Sequence, residues 1–248
     1  MPLDYLWWNP TTLMRSPDPW QREALFEIVT AANDCLMVCS RGAGKSEVSA
    51  VAAYAEACLG GFALVFSRSD RQAKEEIFDR VVKYHREHRL VEELRAPTAH
   101  DLRLRNGGRV LALPCAHNAA SVIGKHKVSL LIIDEAARVP DEFFSSITPV
   151  TILGKGRIVL PSTPYGQRGF FWKAWKGEEG QEDGWRRFRK PWTECPRMSP
   201  QAIERERKLK TEAQFAQEFG CVFHPTTGAM FDLGRFEQLG EEYEVELW

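Results

Sequence analysis

The residues with the clearest capacity for chemistry form one short run, Cys39-Ser40-Arg41-Gly42-Ala43-Gly44-Lys45-Ser46. Its second half fits the phosphate-binding pattern G-x-x-x-x-G-K-[ST], although Cys39 occupies the place of the first glycine. Backbone N–H groups of such a loop, with the N-terminus of a following helix, surround phosphate groups. The run from Ser40 to Ser46 is therefore predicted to bind a nucleotide, with Lys45 on the β- and γ-phosphates and the Ser46 hydroxyl on Mg²⁺.

Two acids later in the chain could supply the rest of a hydrolytic site. The segment from Ser129 to Ile133 is a run of small and apolar residues, which is typical of a strand buried on both faces. Asp134 follows and could hold Mg²⁺ directly or through water, while Glu135 could polarise an attacking water. The alternative is an acidic first turn of a helix. Together with the phosphate loop, these acids predict an ATPase.

The elements that must position these residues are also visible in the sequence. The loop follows an apolar, strand-length run from Asp34 to Val38 and precedes an Ala-rich, helix-length run from Glu47 to Leu59. This strand–loop–helix context makes a chance Gly-Lys-Ser the weaker interpretation. About 90 residues separate the loop from the acids. That distance leaves room for the remaining strands and helices of a doubly wound α/β sheet.

Further elements follow from periodicity and turn signals. Strands are predicted at 61–68, 156–160 and 185–189, and Asn106-Gly107 is a strong hairpin signal. A charge-rich helix is predicted from Ser69 to Leu94, with a break near His85 left open. Another helix begins near Pro19, and its Gln21 is a candidate for reading the adenine edge because an amide both donates and accepts hydrogen bonds. The alternative is a solvent-facing helix glutamine.

Composition limits the class of protein. The 248 residues carry a net charge of −1, so any contact with DNA must come from local basic patches. The six cysteines form no C-x-x-C pair, which favours reduced thiols in the cytosol. No apolar run reaches the length of a membrane span, and no membrane partner is expected.

Several motifs in combination give the chain a family likeness. The altered loop, with Arg41 after Ser40, and the acidic strand end followed by Ala136-Ala137 belong to this set. The others are Phe66-Ser67-Arg68 with Arg71-Gln72-Ala73, Ser162-Thr163-Pro164, and Phe215 to Phe219 running on to Gly228-Ala229-Met230-Phe231. In these residues, from about Trp20 to Phe231, the chain resembles the N-terminal ATPase half of the large terminase subunit of tailed bacteriophages.

The resemblance implies a P-loop NTPase of the RecA/ASCE type, with a mostly parallel sheet flanked by helices and a small helical lid. It implies a core with an N-terminal arm at 1–195, a lid subdomain at 196–231 and a linker toward a nuclease domain at 232–248. No nuclease activity is expected here, because the acids after Phe231 follow no strand pattern.

The same resemblance implies a motor that packages DNA. Its substrates would be ATP with Mg²⁺ and double-stranded DNA. Its partners would be other copies of itself in a ring, the portal protein and the small terminase subunit, in the host cytoplasm.

Further residue roles come only from the resemblance. Arg41 would contact the γ-phosphate in cis, unless it pairs with a nearby acid. Ser162 and Thr163 would couple hydrolysis to the lid, unless they form a plain turn. Family members often carry Arg-Gly about ten residues before the catalytic Glu, where this chain has Ile123-Gly124-Lys125. Lys125 and Arg138 are therefore the candidates for a trans-acting finger.

Two other functional classes remain open from the sequence. A superfamily 2 helicase shares the Gln motif, the loop, the Asp-Glu pair and a Ser-Thr motif, but requires a second RecA-like domain. A non-hydrolysing ATP-binding scaffold that dimerises through its aromatic N-terminal arm has no need for Glu135. Both alternatives predict ATP binding, and only the motor requires hydrolysis between neighbouring copies.

Overall fold

A computed structural model describes residues 17–30, 33–115, 127–177 and 183–225. Within them, seven strands form a single sheet in the order β3-β4-β2-β5-β6-β1-β7. All neighbouring strands are parallel except the β3–β4 pair. The strands are β1 (Asp34–Cys39), β2 (Phe62–Ser67), β3 (Asp101–Arg103), β4 (Arg109–Pro114), β5 (Leu130–Ile133), β6 (Arg157–Ser162) and β7 (Trp185–Lys190). This arrangement confirms the predicted mostly parallel α/β sheet.

The central strands are apolar along their whole length because helices cover both faces of the sheet. Every residue of β2 and β5 is buried, as are five of the six residues of β1. The helices are α1 (Pro19–Thr30), α2 (Lys45–Cys58), α3 (Asp70–Gln72), α4 (Asp79–His88), α5 (Asp141–Ile147), α6 (Gly169–Lys176), α7 (Pro200–Leu209) and α8 (Glu212–Glu218).

Two hydrophobic layers hold these helices to the sheet. Leu25 of α1, Tyr54 of α2 and Phe78 belong to one layer. Ile147 of α5 and Phe171 of α6 belong to the other. Strand side chains alternate between the layers, as the two-residue period of a strand requires. The carboxyl ends of β5, β6 and β1 therefore lie side by side at one edge, between the two layers.

The long helix predicted for 69–94 differs from the observed structure. A π-helical segment, Ala73–Phe78, lies between α3 and α4, and α4 ends at His88. Arg89 follows with a left-handed φ of 44°, which breaks the helical path. Apolar periodicity carries no signal for a π-helical turn, since such a turn shifts the register of the helix by one residue.

Helices α7 and α8 pack around a small cluster of their own. Ile203, Phe215 and Phe219 form this cluster, with Trp192 and Met198 against it. Ser199 caps α7, and Thr211 and Gln214 form a capping box at the start of α8. The helices that the implied lid requires are present, whereas their independence as a lid subdomain stays a prediction. Residues 232–248 lie outside the described part of the chain.

Two predictions about environment can be compared with the structure. All six cysteines lie in the described part of the chain, and each is a free thiol. Among the described residues, none of the helices has both the length and the apolar composition needed to cross a bilayer.

Candidate nucleotide-binding site

A cleft of about 610 Å³ opens at the carboxyl ends of the central strands. The phosphate loop after β1 forms one wall, and Glu135, which follows β5, forms the opposite wall. Strand β6 lies between β5 and β1, so Thr163 at its end lines the cleft between the two motifs. The parallel sheet thus brings the predicted loop, acids and Ser-Thr motif together, at the edge where α/β sheets bind ligands.

The phosphate loop is shaped by two glycines with backbone conformations that other residues rarely adopt. Gly42 has φ of 79° and Gly44 has φ of 92°. A Cβ atom on Gly44 would lie 2.5 Å from Gln21 Nε2 and 2.9 Å from Arg197 Nη2. Cys39, by contrast, is the last residue of β1, and its side chain is buried in the core. A glycine is not required there because the chain is still an extended strand.

Lys45 and Glu135 meet directly across the cleft. The Lys45 Nζ lies 2.8 Å from Glu135 Oε1, and the lysine is 9% exposed. Burial lowers the pKa of Lys45, but Glu135 and Asp134 more than offset it, so the net pKa lies above its usual value. The ammonium group therefore stays charged, as a phosphate ligand must. The pairing also shows that the Glu135 side chain faces the predicted phosphate loop.

Asp134 has the properties expected of a carboxylate that binds a cation. It is 1% exposed, and its Oδ1 has no hydrogen-bond partner among the described residues. Burial, with the neighbouring charge of Glu135, raises the pKa of Asp134 to about 7. A divalent cation would satisfy this oxygen and favour the ionised form. Ser46 lines the cleft, as does Glu135, the residue next to Asp134. A hydroxyl and a carboxylate are oxygen ligands of the kind that Mg²⁺ takes, so the two predicted ligands fit a metal in their chemistry.

Glu135 is held in an unusual backbone conformation. Its φ of 52° lies in the left-handed region, which costs a residue with a side chain about 1–3 kcal/mol. The Thr163 Oγ1 lies 3.5 Å from Glu135 Oε2, and the backbone N–H of Ala137 donates to Ser162 Oγ at 3.2 Å. The predicted coupling residues therefore contact Glu135 and the turn that follows it, while the coupling role stays a prediction.

Arg41 points toward α8 in this structure. Its backbone N–H donates to the Glu218 carbonyl at 2.8 Å, and its Nε lies 3.3 Å from Glu218 Oε2. The side chain is 64% exposed, so it is free to turn toward a ligand. The pairing with an acid that the sequence left open is present, and the γ-phosphate role of Arg41 stays a prediction.

Gln21 lies behind the loop with both ends of its amide occupied. Its Oε1 accepts from the Asp18 backbone N–H at 2.9 Å, and its Nε2 donates to the Gly44 carbonyl at 3.3 Å. The residue is completely buried. These contacts hold the loop to α1 and would compete with a hydrogen bond from Gln21 to adenine. The adenine role of Gln21 stays a prediction.

The two candidates for a trans-acting finger have different outcomes. Lys125 lies outside the described residues. Arg138 lines the cleft of its own chain and stacks over the Tyr165 ring, with 4.0 Å between the guanidinium carbon and the ring centroid. This position favours a contact in cis, and the trans role stays a prediction.

The sequence missed several residues that line the cleft. Four of them, Arg68, Gln72, Glu76 and Arg80, come from the segment after β2 that contains the π-helical turn. Arg80 reaches Glu47 beside the loop at 2.5 Å. Glu47 itself lines the cleft, and the sixth of these residues is Arg197, which precedes α7. The residues Ser67-Arg68 and Arg71-Gln72 carried a family likeness but no assigned role, and Arg197 carried no sequence signal.

The fold and the site define the class of protein: this is a P-loop NTPase. Comparison with known families then narrows the class. Residues 36–238 match the family model described as terminase large subunit, T4likevirus-type, N-terminal. The chain therefore belongs to the large terminase family and corresponds to its N-terminal part. No curated protein sequence matches it.

Solved structures with this fold include three phage terminases. The ATPase domain of the Thermus phage P74-26 large terminase shares 21% identity, with a TM-score of 0.64, over 84% of this chain and 99% of that one. A second large terminase, from a thermophilic bacteriophage, shares 10% identity, with a TM-score of 0.67, over 85% of this chain and 54% of that one. It is called the thermophilic-phage terminase below.

The third structure is the bacteriophage HK97 large terminase. It shares 19% identity, with a TM-score of 0.57, over 82% of this chain and 46% of that one. This chain therefore spans about half the length of the HK97 terminase and of the thermophilic-phage terminase. The thermophilic-phage terminase has also been solved with ADP and with ATP-γ-S.

Proposed function

We propose that this chain is the ATP-hydrolysing motor part of a phage terminase and that it drives double-stranded DNA into a procapsid. The observation that carries the proposal is the 2.8 Å approach of Lys45 to Glu135 across a cleft walled by the phosphate loop. The family match supplies the DNA-packaging context. The nucleotide complexes of the thermophilic-phage terminase support ATP as the substrate.

The residues of the cleft divide the chemistry among them. Loop N–H groups and Lys45 bind the phosphates, and Arg41 leaves Glu218 to stabilise the charge on the γ-phosphate. Glu135, released from Lys45 as the lysine turns to phosphate, orients or deprotonates the attacking water. Ser46 and Asp134 would hold Mg²⁺, which neutralises phosphate charge when it is bound.

Loss of the γ-phosphate is then signalled through contacts already present. Thr163 lies beside Glu135, and Ser162 binds the turn at Ala137. On the other side of the loop, Arg41 and Glu218 join it to α8. We propose that these contacts shift α7 and α8 as the phosphate leaves, and that this shift moves the DNA.

The proposal includes an assembly. Copies of the chain form a ring in the host cytoplasm, on the portal protein and with the small terminase subunit. Lys125 or Arg138 completes the site of a neighbour. A helicase is the weaker proposal because the matching family model is that of terminases. A purely binding scaffold does not account for Glu135 at the phosphate position.

Steady-state ATP hydrolysis, measured against protein concentration with and without double-stranded DNA, tests this proposal. Turnover per chain should rise with concentration and with DNA, because neighbours complete each site. The Lys125→Ala and Arg138→Ala variants, each mixed with the Glu135→Gln variant, should distinguish the two finger candidates. Turnover should be restored only for a residue that acts in trans, because the inactive partner then supplies the intact residue. Turnover that is independent of concentration would contradict the ring.

A further inference from the structure

The guanidinium of Arg197 lies at the junction of three parts of the protein. Arg197 belongs to the turn between β7 and α7. Its Nη2 donates to Asp18 Oδ2 at 2.8 Å and to the Ala43 carbonyl at 3.2 Å. The side chain is 27% exposed and lines the nucleotide cleft. A single side chain thus joins the segment before α1, the phosphate loop and the approach to α7.

The described residues use only part of the hydrogen-bonding capacity of Arg197. A guanidinium carries five N–H donors, and the two on Nη2 are directed to Asp18 and Ala43. Among the described residues, no acceptor binds its Nε or Nη1. The carboxylate of Asp18, whose side chain is 10% exposed, fixes the group in place. Arg197 therefore presents three N–H donors and a planar face from a fixed position.

The charge of Arg197 suits a neutral group better than a phosphate. Asp18 balances its charge at 2.8 Å, whereas the ammonium group of Lys45, the residue after Gly44, faces Glu135. A paired guanidinium still stacks well on planar rings and still donates hydrogen bonds. Gln21, a neighbouring polar side chain, is buried, and its amide already makes a hydrogen bond at each end.

We propose that Arg197 contacts the base and ribose of the bound nucleotide, as a binding residue on the side of the loop away from the transferred phosphate. The proposal rests on the proposed function, because it requires that a nucleotide occupy the cleft. Arg197 lies in the turn that leads to α7, so a contact with the base would involve the segment that joins the sheet to the α7–α8 pair.

Calorimetric titration with Mg²⁺-ADP and with Mg²⁺-pyrophosphate separates base binding from phosphate binding, because the two ligands share a diphosphate. Arg197→Ala should weaken ADP binding about tenfold and leave pyrophosphate binding within twofold of the wild type. Arg205→Ala, which removes an exposed arginine of α7, is the matched control and should change neither. Equal losses for both ligands, or no loss for ADP, would overturn the proposal.

Arg197→Lys distinguishes a nucleotide contact from a structural tie. Lysine retains the ion pair with Asp18, so the melting temperature of the Arg197→Lys variant should equal that of the wild type. The affinity for ADP should stay low, because an ammonium group offers neither the plane nor the fixed fork of a guanidinium. Recovery of both quantities would show a structural role and overturn the proposal. If the wild-type protein binds neither ligand, the proposed function itself fails, and this proposal falls with it.

Discussion

The phosphate loop and the acidic end of β5 form two halves of one cleft, and they differ in how fully their polar groups are satisfied without a ligand. Around the loop, Gln21 and Arg197 bind the carbonyls of Gly44 and Ala43, and Glu218 binds the Arg41 N–H. At the acidic end, Asp134 is buried with an oxygen that has no partner among the described residues.

This difference teaches how the site divides its tasks. The loop has its shape without a ligand, because hydrogen bonds to its backbone and two left-handed glycines fix it. The acidic end carries an electrostatic cost, seen in the raised pKa of Asp134, and a conformational cost, seen in the left-handed backbone of Glu135. A cation would relieve the electrostatic cost. Substitutions in the loop should therefore act mainly through side-chain size and backbone conformation, and substitutions at the acidic end mainly through charge.

The largest expected effect is on ATP turnover and comes from a substitution at the acidic end of β5. Glu135→Gln should lower ATP turnover by about 100- to 10,000-fold, the usual contribution of a general base. ADP binding should remain, because the loop keeps its shape without the carboxylate. Steady-state turnover and calorimetric ADP titration measure the two quantities. Glu142→Gln, at an exposed acid of α5, is the control. Loss of ADP binding would show that Glu135 belongs to the binding site instead.

The next effect tests shape. Gly44→Ala should remove detectable ADP binding and lower the free energy of unfolding by about 2–3 kcal/mol, from left-handed strain with a steric clash. Gly107→Ala is the matched control because Gly107 has φ of 88° with no atom within 4 Å of a Cβ. It should cost only about 1 kcal/mol and leave binding intact. Chemical denaturation compares them, and equal costs would mean that packing around the loop is unimportant.

A gain in stability should follow from removing charge at the acidic end. A carboxyl whose folded pKa lies above its unfolded value of about 3.8 destabilises the folded state as the pH rises above that value. Asp134→Asn should therefore stabilise the nucleotide-free protein by about 1–2 kcal/mol at pH 8, while Mg²⁺-dependent hydrolysis is lost. The gain should shrink as the pH falls from 7 toward 4. Thermal unfolding across this range measures it, and a loss of stability at pH 8 would contradict the electrostatic cost.

The smallest effect is expected where the loop meets α8. Arg41 is 64% exposed, and exposed ion pairs contribute about 0–1 kcal/mol. Glu218→Gln should change the free energy of unfolding by less than about 0.5 kcal/mol. It should raise the affinity for ATP about twofold in the Glu135→Gln background, since Arg41 is freed for the phosphates. A large loss of stability would show that the Glu218 side chain, and not its backbone, holds the loop.

The sequence determined the chemistry that depends on local order. A strand, a glycine loop and a helix follow one another along the chain, so the phosphate loop could be recognised without knowledge of its neighbours. The apolar run that ends in Asp134-Glu135 is equally local, because a strand buried on both faces must be apolar throughout. The caps of α7 and α8 are also set by adjacent residues, Ser199 and Thr211.

Tertiary structure decided which distant residues share the cleft. The order of the strands places β6 between β5 and β1, and this alone brings Thr163 between the loop and Glu135. Arg197 contacts Asp18, which lies 179 residues away in the sequence. Gln21 is buried behind the loop by contacts that hydrophobic periodicity does not predict. Local propensity and spacing act over a few residues, whereas these contacts depend on how the sheet and the final helices pack, and only the folded chain specifies that.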